Sequence, residues 1–171
     1  MGQQTILHDA KSARIKTLGH TNTSRQERLP MDTVSPAKRS EIMARIKSKD
    51  TKPEILIRKM VYGMGFRFRL HVASLPGRPD LTFHRMKKVI FDNGCFWHHH
   101  NGCKYARMPK SKLEFWIPKL TAARARDTRN IAALESADWQ TLTIWECELA
   151  GIIAVKKKIM FYLESDKITQ R

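Results

Sequence analysis

Three cysteines are all that this chain of 171 residues contains, and their placement limits how it can fold more than any other feature. Cys95 and Cys103 bracket the run Phe96-Trp97-His98-His99-His100, and Cys147 stands far downstream. Three thiols cannot all pair with one another, and their spacing with histidine favours a metal over a disulfide. Cys95, His100, Cys103 and Cys147 together supply the four soft or borderline ligands of a tetrahedral zinc site. A metal there would clip a loop to the end of a separate strand, adding several kcal/mol of local order. The alternative is a set of buried free cysteines beside a surface histidine. Two large aromatics and additional histidines between the ligands exceed what a purely structural knuckle needs. The segment therefore reads as a pinned loop that presents chemistry.

Charge narrows the partner. Thirty-two Lys and Arg against sixteen acids give a formal net charge of +16, the electrostatic footprint of a nucleic-acid binder. Basicity for solubility or for anionic surfaces is the other use of such a composition. An apolar content of 42% is ordinary for a globular protein. The length suits one domain with a real core and an added arm. No run of about 18 apolar residues is present to span a bilayer. The N-terminus lacks the apolar core of a secretory signal, and the cysteine usage points to a reducing cytoplasm.

Residues 1–33 are polar and turn-rich, which predicts a disordered extension ahead of a folded domain over 34–171. Met31, just before the first convincing helix, is a candidate translation start. Ser35-Pro36 is a helix opening, followed by Ile42, Met43 and Ile46 at helical spacing. Thr51-Lys52-Pro53-Glu54 is a capping box that starts a second helix, ending at Gly63 or Gly65. Phe66, Phe68, Leu70 and Val72 alternate with Arg67, Arg69 and His71, the period of a half-buried strand. After the turn Leu75-Pro76-Gly77-Arg78-Pro79, short strands are predicted over 80–83 and 88–91. A basic loop over 104–110 leads to a long helix, which starts near 115–118 because Pro118 is tolerated only in a first turn. A strand through Leu142, Ile144 and Trp145 ends at Glu146-Cys147, and an amphipathic helix covers 155–163. No internal repeat is visible. The order α-α-β-β-β-α-β-α predicts an α/β fold with a central mixed sheet flanked by helices.

Five further positions could carry chemistry. Pro79 fixes the approach to Asp80 at the mouth of a strand, where a carboxylate suits Mg²⁺. An isolated Pro-Asp more commonly caps a turn, but here an apolar strand follows at hairpin distance and leads into the histidine loop. His98 is not needed as a zinc ligand; it is either a general base or a solvated loop histidine. Glu54 is fully explained by its capping box. Phe96 and Trp97 either pack on the domain or wedge between base pairs and unstack them, and the sequence leaves both uses open.

Gly77-Arg78-Pro79-Asp80, Gly94-Cys95-Phe96-Trp97-His98, Phe115-Trp116, Arg126-Asp127 and Trp145-Glu146-Cys147-Glu148-Leu149 resemble the very short patch repair (Vsr) DNA mismatch endonuclease family over about residues 35–150. The resemblance implies a restriction-endonuclease-like fold with a structural zinc. It implies Mg²⁺-dependent nicking of double-stranded DNA beside the thymine of a T:G mismatch, the lesion left when 5-methylcytosine deaminates. By the same resemblance Asp80 is the metal-binding catalytic aspartate, His98 the catalytic histidine and Glu54 an accessory acid. Cys95, His100, Cys103 and Cys147 match the zinc ligands. Met43, Phe96 and Trp97 match the side chains that insert into the duplex, and the carbonyl of Asp92 stands where the family supplies a further metal ligand. A companion cytosine methyltransferase, the mismatch-repair proteins and a monomeric enzyme are implied as well.

The chain departs from that pattern at Asn93, where some members carry histidine, at Ala123, which replaces a polar residue, and at Asp138, which replaces a glycine before Trp139. The Asp92 carboxylate is a candidate compensation, adding an acid near the Mg²⁺ and approaching the paired acids of related nucleases. Arg and Lys over 104–112 and 124–129 are the expected phosphate contacts, which predicts strongly salt-dependent affinity. Two rivals remain: a nicking or restriction nuclease of the same fold without mismatch preference, and a catalytically weak, zinc-stabilised DNA-binding module. Cleavage of T:G against T:A duplexes separates the first, and binding without a nick in Mg²⁺ identifies the second.

Overall fold

The computed structural model describes residues 34–45 and 49–165. The expected extension over 1–33, the candidate start at Met31 and the helical position of Ile46 lie outside them. Helix α1 (Pro36–Ala44) opens on Ser35, whose hydroxyl accepts from the Lys38 N–H at 3.3 Å. Helix α2 (Lys52–Gly63) opens on Thr51, which accepts from the Glu54 N–H at 3.3 Å. The reciprocal half of that capping box is displaced by one residue, since Glu54 accepts from the Asp50 N–H instead.

Three strands form the sheet: β1 (Leu81–Phe83), β2 (Lys88–Asn93) and β3 (Gln140–Trp145). β2 lies between the others, antiparallel to β1 and parallel to β3. The parallel step requires a long crossover, and helix α3 (Leu113–Ser136) supplies it; helix α4 (Ile152–Glu164) follows a 3₁₀ stretch over Glu146–Gly151. α3 begins earlier than Pro118 predicts, after Lys112 in the left-handed conformation at φ 56°. Pro118 therefore sits in the second turn and offers no N–H to the Glu114 carbonyl.

Both faces of the sheet are covered. Ile57 and Val61 of α2 and Val155, Ile159 and Leu163 of α4 pack with Leu81, Phe83, Ile90 and Ile144 on one face. Val89 packs with Leu134 of α3 and Trp139 on the other, with Leu75 and Phe91 against them. This layering explains why β2 is apolar on consecutive residues rather than alternating.

The predicted strand over 66–72 is corrected. Among the described residues that segment makes one bridge, Arg69 to Thr82. Its alternation is real as a pattern of facing: Phe66 and Phe68 meet Phe83 edge-on, while Arg67 and Arg69 are exposed. Extension stops at His71, whose backbone takes φ +46°, so the periodicity reports burial on one side and not a hydrogen-bonded ladder. Among the described residues no helix is long and apolar enough to cross a membrane.

Candidate active site and metal centre

Strand directions gather the site at one end of the sheet. β2 and β3 run in parallel, with Asn93 opposite Trp145, so their C-terminal ends coincide. β1 runs the other way, with Leu81 opposite Ile90, which brings the residue before it, Asp80, to the same end. The result is direct: Asp80 Oδ2 accepts from the Asp92 N–H at 2.7 Å. The turn that delivers Asp80 is tightly held. Gly77 at φ +75° and Arg78 at φ +49° both lie in the left-handed region, and a Cβ on Gly77 would meet Asn130 Nδ2 of α3 at 3.0 Å.

A cavity of about 500 Å³ opens there, with Glu54, His71, Asp80, Asp92, Asn93, Trp97, His98 and Asp127 in its lining. Glu54, Asp80, Asp92 and His98, far apart in sequence, thus share one pocket. Burial pushes the Asp80 carboxyl above its ordinary value, against the opposing Asp92 amide. Burial also raises Asp92, to about 7, with the neighbouring carboxylate of Asp80 adding to the effect. Asp92 Oδ1 is buried without a hydrogen-bond partner, an orphaned acceptor of the kind that a cation satisfies. His98 Nδ1 is 2.6 Å from Asp127 Oδ2 of α3.

Next to this cavity, Cys95, His100, Cys103 and Cys147 place their ligand atoms within 4.8 Å of one another, and they could hold a metal ion. His100 Nδ1 lies 3.7 Å from Cys95 Sγ and 3.4 Å from Cys147 Sγ. The edge between a nitrogen and a sulfur ligand of tetrahedral zinc is about 3.5 Å, so the spacing suits the donor set. Trp145 stacks flat on the His100 ring, with centroids 4.0 Å apart and planes 3° off parallel. Within the cluster burial raises the thiols of Cys95 and Cys147, whereas the Tyr105 backbone amide lowers that of Cys103.

The aromatic positions divide. Phe96 and Trp97 are half-buried and pack edge-on with each other; Phe96 meets the buried Trp116 edge-on and Trp97 meets it tilted, with Lys119 over the Trp97 ring. Met43 lies on α1, 36% exposed. Among the described residues the cavity lining includes Trp97 but neither Met43 nor Phe96. Sequence reasoning passed over Arg58, placed His71 only in a strand alternation, and noted Asp127 without a role. The readable signal was the (i, i+4) spacing of Glu54 and Arg58 on α2; nothing local marked the other two.

Comparison with known proteins places the chain in a family. Residues 31–104 match the family described as DNA mismatch endonuclease Vsr. The chain is 42% identical over 133 residues to the type II nicking enzyme V.XorIIP of Xanthomonas oryzae pv. oryzae, covering 78% of this chain and 97% of that one. It is 41% identical over 128 residues to the type II nicking enzyme V.NmeAIP of Neisseria meningitidis, covering 75% and 91%. It is 41% identical over 120 residues to the DNA mismatch endonuclease Vsr of Escherichia coli, covering 70% and 76%. With more than two thirds of each of these relatives aligned at this identity, the chain belongs to the Vsr DNA mismatch endonuclease family and is a DNA endonuclease.

Proposed function

We propose that this endonuclease nicks duplex DNA beside the thymine of T:G mismatches, by Mg²⁺-assisted phosphodiester hydrolysis on a restriction-endonuclease-like fold. The observation that carries the reading is the single pocket lined by Asp80, Asp92 and the Asp127-paired His98. Asp80 and Asp92 would hold Mg²⁺, which when bound supplies Lewis-acid stabilisation of charge on the phosphate. Asp127 accepts from His98 Nδ1–H, so Nε2 keeps a lone pair with which to take the proton of the attacking water. Asn93 donates neutral amide hydrogens where a charged histidine would contribute a cation. Glu54 supports the site from the first turn of α2.

Cys95, His100, Cys103 and Cys147 would hold Zn²⁺, a structural ion whose part is to fix the loop that carries His98. Selectivity comes from deformation. A mismatched step unstacks at lower cost than a paired one, so insertion of Met43, Phe96 and Trp97 favours it. The aromatic cluster already stands part-exposed on a clipped loop, with Lys119 over its rings. The chain acts as a monomer on DNA in the cytoplasm, repairing lesions left by a companion cytosine methyltransferase and alongside mismatch-repair proteins. Its folded domain is assigned to 34–171.

A second reading, a nicking nuclease indifferent to mismatches, is favoured by relatives whose names state only nicking. Nicking of a labelled T:G duplex and of its T:A counterpart in Mg²⁺, with Asp80→Ala and His98→Ala beside the parent, tests both. Equal nicking of the two duplexes would leave the second reading, and full activity in either variant would sink the hydrolytic assignment.

A further inference from the structure

Glu54, His71 and Asp80 place two carboxylates and an imidazole within 4.8 Å of one another, a set that could hold a metal ion of its own. A guanidinium is already there. Arg58, one helical turn beyond Glu54 on α2, has a side chain only 13% exposed and reaches Glu54 Oε2 at 2.7 Å. The same Nη2 is 3.0 Å from His71 Nε2, and Nη1 meets Asp50. Glu54 Oε2 also accepts from the Asp50 N–H at 2.9 Å. A divalent ion among these three residues would lie against a fixed positive charge in a poorly solvated pocket, where repulsion is strong.

Arg58 also settles the protonation of its neighbour. A guanidinium has N–H donors and no acceptor, and it stays charged. The His71 nitrogen facing it must accept, so Nε2 carries the lone pair and the proton resides on Nδ1. Nδ1 is the nitrogen facing Asp80, 3.8 Å from Oδ1. That separation exceeds a hydrogen bond, but it puts an N–H dipole before the carboxylate where the other tautomer would put a lone pair.

We propose that Arg58 and His71 are positioning residues for the hydrolytic site. Arg58 takes the cation's place between Glu54 and His71 and locks His71 as the Nδ1–H tautomer. His71 then biases the Asp80 carboxylate toward the orientation in which Oδ2 meets the Asp92 amide. Glu54 accordingly acts through Arg58, and the divalent ion is left to the Asp80–Asp92 side of the pocket. The effect on rate rests on the hydrolytic reading above; the tautomer does not.

Two measurements on the full chain test this. NMR of the imidazole nitrogens in metal-free, DNA-free protein is expected to show His71 protonated at Nδ1 and bare at Nε2, with that preference lost in Arg58→Met. Single-turnover nicking of the T:G duplex in Mg²⁺ is expected to slow about 10–100-fold in Arg58→Met and His71→Leu, with duplex affinity within about twofold of the parent. His71→Asn, whose amide N–H falls near the place of Nδ1, should recover most of the rate. A His71 protonated at Nε2, or a His71→Asn enzyme as slow as His71→Leu, would overturn the proposal. A parent protein that fails to nick the T:G duplex would defeat the proposed activity instead, and the tautomer alone would then decide the network.

Discussion

His98 Nδ1 and Asp127 Oδ2 stand 2.6 Å apart, joining the histidine loop to the middle of α3 at the rim of the cavity. An ionised carboxylate only accepts, so the pair fixes the imidazole with its proton on Nδ1 and its lone pair on Nε2. Asp127→Asn can present an N–H to the same nitrogen, favouring the tautomer whose Nε2 cannot act as a base. Single-turnover nicking should fall by about 10²–10⁴, the range of a lost general base, while duplex affinity stays near that of the parent. Full activity in Asp127→Asn would remove His98 from proton transfer.

Gly77→Ala should separate delivery of Asp80 from the chemistry. The residue sits at φ +75°, and its Cβ would meet Asn130 Nδ2 at 3.0 Å and the Phe91 ring at 3.2 Å. Backbone strain and these contacts together should cost about 1–3 kcal/mol in denaturant unfolding, and the displaced turn should slow nicking with it. Adding Asn130→Ala removes the amide contact but leaves the Cβ of residue 130 and the Phe91 ring, each at 3.2 Å, and the backbone strain, so the double variant should recover only part of the stability. Recovery of all of it would mean that the left-handed backbone costs nothing.

What could be read in the sequence was whatever depends on local pattern. The helix openings at Ser35-Pro36 and Thr51, the short strand after Pro79 and the apolar run at 88–91 each rest on hydrogen-bonding or steric rules within a few residues. The Cys/His quartet was legible because thiols are rare and few pairings are open to them. The segment over 66–72 misled because period-two burial on one face is also what an extended coil shows when its aromatics rest on a core. The roles of His71 and Asp127 went unread for a different reason. His71 meets Asp80 across an irregular turn closed by the bond from its own N–H to the Pro79 carbonyl, and Asp127 of α3 meets the loop residue His98 only through the tertiary fold; no spacing rule foretells either.

Stripping the metal from the Cys/His cluster should loosen the loop without unfolding the domain. The two apolar layers around the sheet include none of those four residues, although Cys95 is itself buried. A strong chelator is expected to lower Tm and expose Trp145 and Trp97 to fluorescence quenchers, and Cys147→Ser should reproduce both effects without adding to the chelator's. Because thiols must lose protons to bind the ion, metal affinity should fall as pH is lowered. Co²⁺ substitution giving no thiolate-to-metal absorption would show that the cluster is not a metal centre.

Asp92 should make the metal-free enzyme less stable as pH rises, the reverse of most buried carboxylates in ion pairs. Burial first, then the charge of Asp80, raises its folded-state value to about 7, whereas in the unfolded chain it titrates near 4. Between those limits the folded state binds more protons than the unfolded state, so stability declines across the window and levels off above it. Asp80 is shifted in the same direction, by burial against the opposing amide of Asp92. Asp92→Asn cannot ionise, so it should flatten much of the slope and stabilise the metal-free protein at pH 8 by about 1–3 kcal/mol. Mg²⁺ should act oppositely in the parent, raising Tm more at pH 8 than at pH 5 because it binds the ionised pair. The check is thermal unfolding at both pH values, without added Mg²⁺ and with it, for the parent and the variant, with no chelator present so that the Cys/His cluster is left undisturbed. An unchanged pH slope in Asp92→Asn would mean that this carboxyl is not the group held neutral by the pocket.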